Sequence, residues 1–140
     1  MSNPHTSGSS DRSPGSPRED QRLAALRDLQ ILDTPREATF DDLTALAADI
    51  CQTPIALISL IAESRQWFKS AVGLTEEQTP REVAFCAQAL DNPDLLLVPD
   101  AARDPRFAAN PLVTGEPHIR FYAGAPLVTP EGHALGTLCV

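Results

Sequence analysis

Residues 119–140, IRFYAGAPLVTPEGHALGTLCV, form two apolar runs separated by Pro130-Glu131-Gly132, the pattern of two strands meeting at a tight turn. The first run alternates weakly and carries Phe121, Tyr122, Leu127 and Val128. The second, from Ala134 to Val140, is apolar apart from Thr137, as expected of a strand at the centre of a sheet or covered on both sides. A sheet so apolar needs elements packed on its faces, and the chain upstream supplies them.

Three places share one helix-start signal: Ser16-Pro17-Arg18-Glu19, Thr34-Pro35-Arg36-Glu37 and Thr79-Pro80-Arg81-Glu82. Each offers a capping hydroxyl, proline at the first helical position and glutamate at the third. The first predicts a short amphipathic helix on Leu23, Leu26, Leu29 and Ile31 or Leu32. The second predicts a helix carrying a clean apolar stripe, Phe40, Leu43, Leu46, Ala47 and Ile50, up to Thr53-Pro54. The third predicts a shorter helix, Glu82 to Leu90, ended by Asp91-Asn92-Pro93.

Between the second and third signals, Ile55 to Ala62 and Arg65 to Val72 read as a hairpin turning at Glu63-Ser64, and Leu95 to Val98 as a short strand. From Ala101 to His118 the text is too irregular for regular structure and too apolar for a free linker, so it reads as a long loop folded over the domain. The expected class is therefore α+β, a mainly antiparallel sheet with helices on its faces. Residues 1–19, rich in Ser, Pro, Gly and charge, read as a disordered head, and residues 20–140 as one domain.

Composition narrows the partners. Nineteen acidic against eleven basic residues give a net charge of -8, with Lys69 the only lysine and the arginines scattered, so no basic patch for nucleic acid is expected. No apolar run approaches a membrane span and the amino terminus lacks a secretion-signal pattern, which points to the cytoplasm. Cys51, Cys86 and Cys139 show no C-x-x-C or Cys/His ligand spacing, so a reduced, metal-free interior is expected. Phosphate-loop, zinc-helix and nucleophile-elbow motifs are missing, as are a kinase phosphoacceptor box and a nucleotide-binding core.

Taken together, Trp67-Phe68-Lys69, Phe85-Cys86-Ala87, Asp104-Pro105-Arg106-Phe107 and Phe121-Tyr122-Ala123-Gly124-Ala125-Pro126-Leu127 resemble GAF domains attached to bacterial sensor histidine kinases and diguanylate cyclases. The resemblance spans about Arg22 to Val140. It implies a GAF-like, PAS-related antiparallel sheet and a small-molecule pocket roofed by the third helix and the long loop. It also implies outer helices that pair in a homodimer, and a fused or associated output domain, a histidine kinase or diguanylate cyclase. Family members carry a further helix after the last strand, so the expectation is a domain incomplete at its carboxy terminus, or one completed by a partner helix. The asparagine-lysine signature of cyclic-nucleotide-binding relatives is missing, and Cys86 is followed by Ala87 rather than the histidine of bilin-binding relatives.

The candidate ligand-binding residues are Trp67, Phe85, Cys86, Asp100, Phe107, Arg120 and Tyr122, for an unidentified small molecule; no catalytic or metal-binding residue and no cofactor is assigned. The aromatics suit a planar ligand, although Trp67 and Phe68, adjacent in a strand, point to opposite faces. Cys86 reads as a ligand contact, a redox-sensitive thiol or a small buried hydrophobe. Arg120 reads as an anchor for a carboxylate or phosphate, or as the salt-bridge partner of Asp100 or Asp104. Asp104 to Phe107 reads as a ligand-closing loop or a capped structural turn. The leading function is a non-catalytic sensory module. The alternatives are an enzyme similar to free methionine sulfoxide reductases, which needs cysteines able to meet, and a ligand-free dimerisation module.

Overall fold

The computed structural model describes residues 15–91 and 94–140. Helix α1 (Pro17–Asp28) and helix α2 (Ala38–Cys51) precede the hairpin β1 (Ala56–Ile61) and β2 (Arg65–Val72). Then come β3 (Gln78–Pro80), a 3-10 turn at Arg81–Val83, α3 (Phe85–Ala89), β4 (Leu96–Val98), a long loop holding α4 (Pro111–Thr114), and the closing hairpin β5 (Tyr122–Val128) and β6 (Ala134–Cys139). The six strands form one sheet in the order β3-β2-β1-β6-β5-β4. Every pairing is antiparallel, so the α+β expectation holds and the two predicted hairpins are both present. Strand β6 lies next to β1 at the centre, which is why its sequence is apolar on both sides.

The first capping signal works as read: Ser16 Oγ accepts the Glu19 amide at 3.1 Å and Pro17 begins α1. The predicted disordered head therefore ends earlier than residue 19. Pro17 to Glu19 are the first turn of a docked helix and Glu19 is buried, while residues 1–14, including His5, lie outside the described residues.

The other two signals are overridden. Helix α2 starts at Ala38, with no side-chain cap, because Thr34 and Pro35 are recruited elsewhere. A bulge in β2 sets Ser70 opposite Ile58 and Phe68 opposite Ser59, so Lys69 is the extra residue and both Lys69 and Ser70 face the helices. Buried Lys69 needs acceptors: its Nζ donates to Thr34 Oγ1 at 2.8 Å and the Pro35 carbonyl at 2.6 Å, and pairs with Glu37 at 2.6 Å. Thr79-Pro80 caps no helix either. It pairs with β2 as the edge strand β3, a place that tolerates proline, and regular helix is confined to Phe85–Ala89. The predicted terminator Asn92-Pro93 lies outside the described residues.

Most of the apolar stripe on α2 is turned outward, although Phe40 lies against buried Lys69. Leu43, Leu46 and Ile50 are exposed, as is Leu29 after α1. The face of α2 against the sheet is polar: Thr44 shares a 2.7 Å hydrogen bond with Ser70, whose hydroxyl donates to Asp41 at 2.6 Å. Helix α1 is docked by charge as well as by Leu26. Arg22, with no solvent exposure, forms a bidentate pair with Glu19 and donates to the Ile61 carbonyl at 2.8 Å, and Arg81 donates to the same Glu19 carboxylate at 2.7 Å. A small cluster of Leu26, Leu60, Trp67 and Leu135 fills the space between. The main core occupies the opposite face of the sheet, under α3 and the long loop.

Candidate functional site

A cavity of about 300 Å³ opens on that opposite face. Its floor is Ile55 and Leu57 of the β1 segment, Gln66 and Phe68 of β2, and Cys139 of β6. Phe85 and Cys86 of α3 form the roof, Tyr122 of β5 one wall, and the long loop closes another with Leu112, Pro117 and Ile119. The register produces this lining: with Lys69 bulged, Gln66, Phe68 and Ala71 share the cavity side with Leu57 and Ser59. Gly124 keeps Tyr122 in place, because a Cβ there would collide with the Tyr122 hydroxyl.

Of the seven predicted residues, Phe85, Cys86 and Tyr122 line the cavity and the other four do not. Phe107 is buried behind it, stacked on Phe85 with centroids 4.2 Å apart and ring planes 11° apart, and so holds the roof in position. Trp67 belongs to the small cluster on the helix-covered face. Asp100 caps the next turn by accepting the Ala102 amide at 3.1 Å. Arg120 is exposed and donates to the carbonyls of Val113 and Ile119, both at 3.0 Å. The predicted Arg120 salt bridge is not formed: Asp104 is held by Arg106 at 2.7 Å and Asp100 lies 3.7 Å from Arg103. These carboxylates have partners nearer in sequence. Asp104 also accepts the Arg106 amide, the geometry of a structural turn.

Three features of the site were not read from sequence. Gln66 is 4% exposed, its amide nitrogen donates to Thr79 at 2.9 Å, and its Oε1 has no hydrogen-bond partner. Such an acceptor inside an apolar cavity costs about 1–3 kcal/mol unless a donor reaches it. Second, among the described residues none that line the cavity is basic, whereas Glu76 and Glu116 are acidic. Third, Cys86 and Cys139 meet, their sulfurs 3.6 Å apart, while Cys51 is exposed rather than packed.

The environment of Cys86 is unusual for a buried thiol. Burial pushes its pKa up, but hydrogen bonds from Cys139, Ser59, Thr137 and Tyr122 together outweigh that and hold it down at about 6. Tyr122 OH lies 3.1 Å and Thr137 Oγ1 3.0 Å from the sulfur. Cys139 moves the opposite way, raised by its hydrogen bond to Cys86, by burial and by the neighbouring negative charge. Tyr122 is likewise raised, first by burial and then by the Cys86 charge, and stays a donor. Among the described residues, no group of three or more His, Cys, Asp or Glu is arranged for a metal ion, and no helix is long and apolar enough to cross a membrane.

This six-stranded antiparallel sheet, with α1 and α2 on one face and α3 and the long loop on the other, is a GAF-like fold. The sequence model described as "GAF domain" matches residues 35–140, and the chain belongs to the GAF domain family. It is 49% identical over 122 residues to cyclic di-GMP phosphodiesterase PA2567 of Pseudomonas aeruginosa, a match covering 87% of this chain and 21% of that protein. The chain thus spans about a fifth of the length of that relative.

Among solved structures, it is similar to the GAF domain of an Acinetobacter phosphoenolpyruvate-protein phosphotransferase, with TM-score 0.56 and 16% identity over 89% of this chain and 77% of that one. It is also similar to a free methionine-R-sulfoxide reductase from Neisseria meningitidis, with TM-score 0.58 and 17% identity over 91% and 75% of the two chains. At these identities the likeness speaks to fold alone.

Proposed function

We propose that this GAF domain is a non-catalytic sensory module whose cavity binds a small, largely apolar molecule bearing a hydrogen-bond donor, neutral or cationic rather than anionic. The observation that carries the reading is Gln66, whose buried Oε1 lacks a partner inside an apolar cavity with acidic rather than basic polar walls. A donor on the ligand satisfies that oxygen, and the ring faces of Phe85 and Tyr122 suit a planar body. An anion would meet carboxylates and a thiolate with no basic side chain to receive it.

Occupancy is passed to an output domain of the signalling kind: a phosphodiesterase as named for the relative, a diguanylate cyclase or a histidine kinase. A coupling of about 1–3 kcal/mol suffices. Residues 16–140 act as the sensing unit, and the outward row Leu43, Leu46 and Ile50 on α2 packs against a second copy or a flanking helix.

Thermal-shift and calorimetric titration with matched amines, amides and carboxylates test the ligand class. Aromatic amines or amides should raise the melting temperature, with the effect lost in Gln66→Leu. A shift confined to carboxylates or phosphates would reject this class.

One observation favours a second reading, a sulfoxide reductase: the approach of Cys86 to Cys139. NADPH consumption with thioredoxin and free methionine sulfoxide, abolished in Cys86→Ser, would replace the sensory reading with the enzymatic one.

A further inference from the structure

Cys86 lies in α3 and Cys139 ends β6, 53 residues later, yet their sulfurs stand 3.6 Å apart and both line the cavity. A buried cysteine serving only as a small hydrophobe needs no donors around it. Here the hydroxyls of Tyr122 and Thr137 are aimed at the Cys86 sulfur, and Ser59 lies 3.1 Å behind Thr137 as a further hydroxyl in the chain. That is a cradle for a thiolate. A disulfide requires sulfurs about 2.05 Å apart, so closure asks each side chain to give by less than about 1 Å. One partner sits on a helix of five residues, which can shift more easily than a long, continuous helix.

We infer that Cys86 and Cys139 are a redox modification site in the cavity wall, closed to a disulfide by hydrogen peroxide that enters through the same cavity. The Cys86 thiolate attacks one peroxide oxygen; the O–O bond breaks, Cys86 becomes a sulfenic acid, and the departing hydroxide takes up a proton as water. The Cys139 sulfur then displaces the sulfenic hydroxyl, which leaves as a second water with the Cys139 proton. Two thiols have lost one electron pair and the peroxide has gained it.

The charge states suit the two roles, with Cys86 holding its charge near neutrality and Cys139 keeping its proton until it resolves. Closure pins α3 to β6, roof to floor, and so changes the space available to any guest. The inference stands apart from the ligand reading, because Gln66 takes no part in it.

The test uses the full chain carrying Cys51→Ser, which removes the exposed thiol. After hydrogen peroxide at neutral pH, unfolding and alkylation should show two thiols lost together and both restored by dithiothreitol. A non-reducing peptide map should join the Cys86 and Cys139 peptides, and in the further variant Cys139→Ala dimedone should trap Cys86 as sulfenic acid. If Cys139→Ala does not fold, the joined peptide from the Cys51→Ser chain decides. Two results overturn the inference: both thiols still alkylatable after glutathione in the same tube is fully oxidised, or Cys86 driven to sulfinic acid while Cys139 stays free. Gln66→Leu should oxidise like its parent, so failure of the dithiol and failure of the ligand reading are separable.

Discussion

The two faces of the sheet are held by opposite kinds of chemistry. On one, α1 and α2 dock through buried charge and hydroxyls: Glu19 with Arg22 and Arg81, Lys69 with Thr34 and Pro35, and Thr44 with Ser70. On the other, α3 and the long loop rest on aliphatic and stacked aromatic side chains, with buried polar groups at Gln66 and around Cys86. Buried charge tolerates one geometry, because each donor must keep its acceptor. Apolar packing around a cavity tolerates small rearrangements. The first face therefore suits a fixed platform and the second a part that adjusts to a guest.

The comparison breaks most visibly if Arg22→Ala is mild. Removing one partner from a buried ionic cluster costs about 3–5 kcal/mol, and urea unfolding followed by Trp67 fluorescence should show it. Acid tests the same cluster. Burial pushes the Glu19 carboxyl up, but the guanidiniums of Arg22 and Arg81 bring it below its ordinary 4.5. Its contribution is thus intact above that value and is lost as pH falls through the lower folded one. In Glu19→Gln, stability should lose that part of its acid dependence.

Next in size is Thr44→Val, which strips the Ser70 hydroxyl of a buried partner and should cost about 1–3 kcal/mol in the same assay. On the cavity face, the rate of Cys86 oxidation should rise about tenfold from pH 5 to pH 7 and flatten above, because only the thiolate reacts and its pKa is about 6. Tyr122→Phe removes a donor to the sulfur, so stopped-flow rates should place that midpoint at higher pH. The last prediction sharpens the contrast: Gln66→Leu removes an unsatisfied buried acceptor along with its hydrogen bond to Thr79, and should leave the unliganded domain as stable as its parent or more stable by up to about 1–3 kcal/mol. A large loss there would mean that Gln66 supports the structure rather than a ligand.

Hairpins and sheet class were legible because apolar runs of strand length separated by short turns are local signals, present in Ile55 to Val72 and in Ile119 to Val140. The two later helix starts misled because Thr-Pro-Arg-Glu satisfies a helix terminus and a linker equally well: a buried ammonium 34 residues from Pro35 decided the first, and pairing with β2 decided the second. The α2 stripe was visible, but its direction was not, since Thr44 and Asp41 dock that helix through polar groups. Three of seven predicted residues reach the cavity. Trp67 missed because its partner in alternation, Phe68, took the cavity side. Gln66 carried one signal: it lies two residues before Phe68 and so on the same face of the strand. The meeting of Cys86 with Cys139 had none, for it depends on α3 crossing over the centre of the sheet.

The bulge in β2 has a practical reach. It turns the chain's only lysine inward, 1% exposed and tied to Thr34, Pro35 and Glu37. Amine-reactive dyes, crosslinkers and acetylating agents therefore meet no accessible lysine on the folded domain. Acylation of Lys69 under native conditions becomes a clock for the opening of that one joint between strand and linker, read from a single site in a mass spectrum.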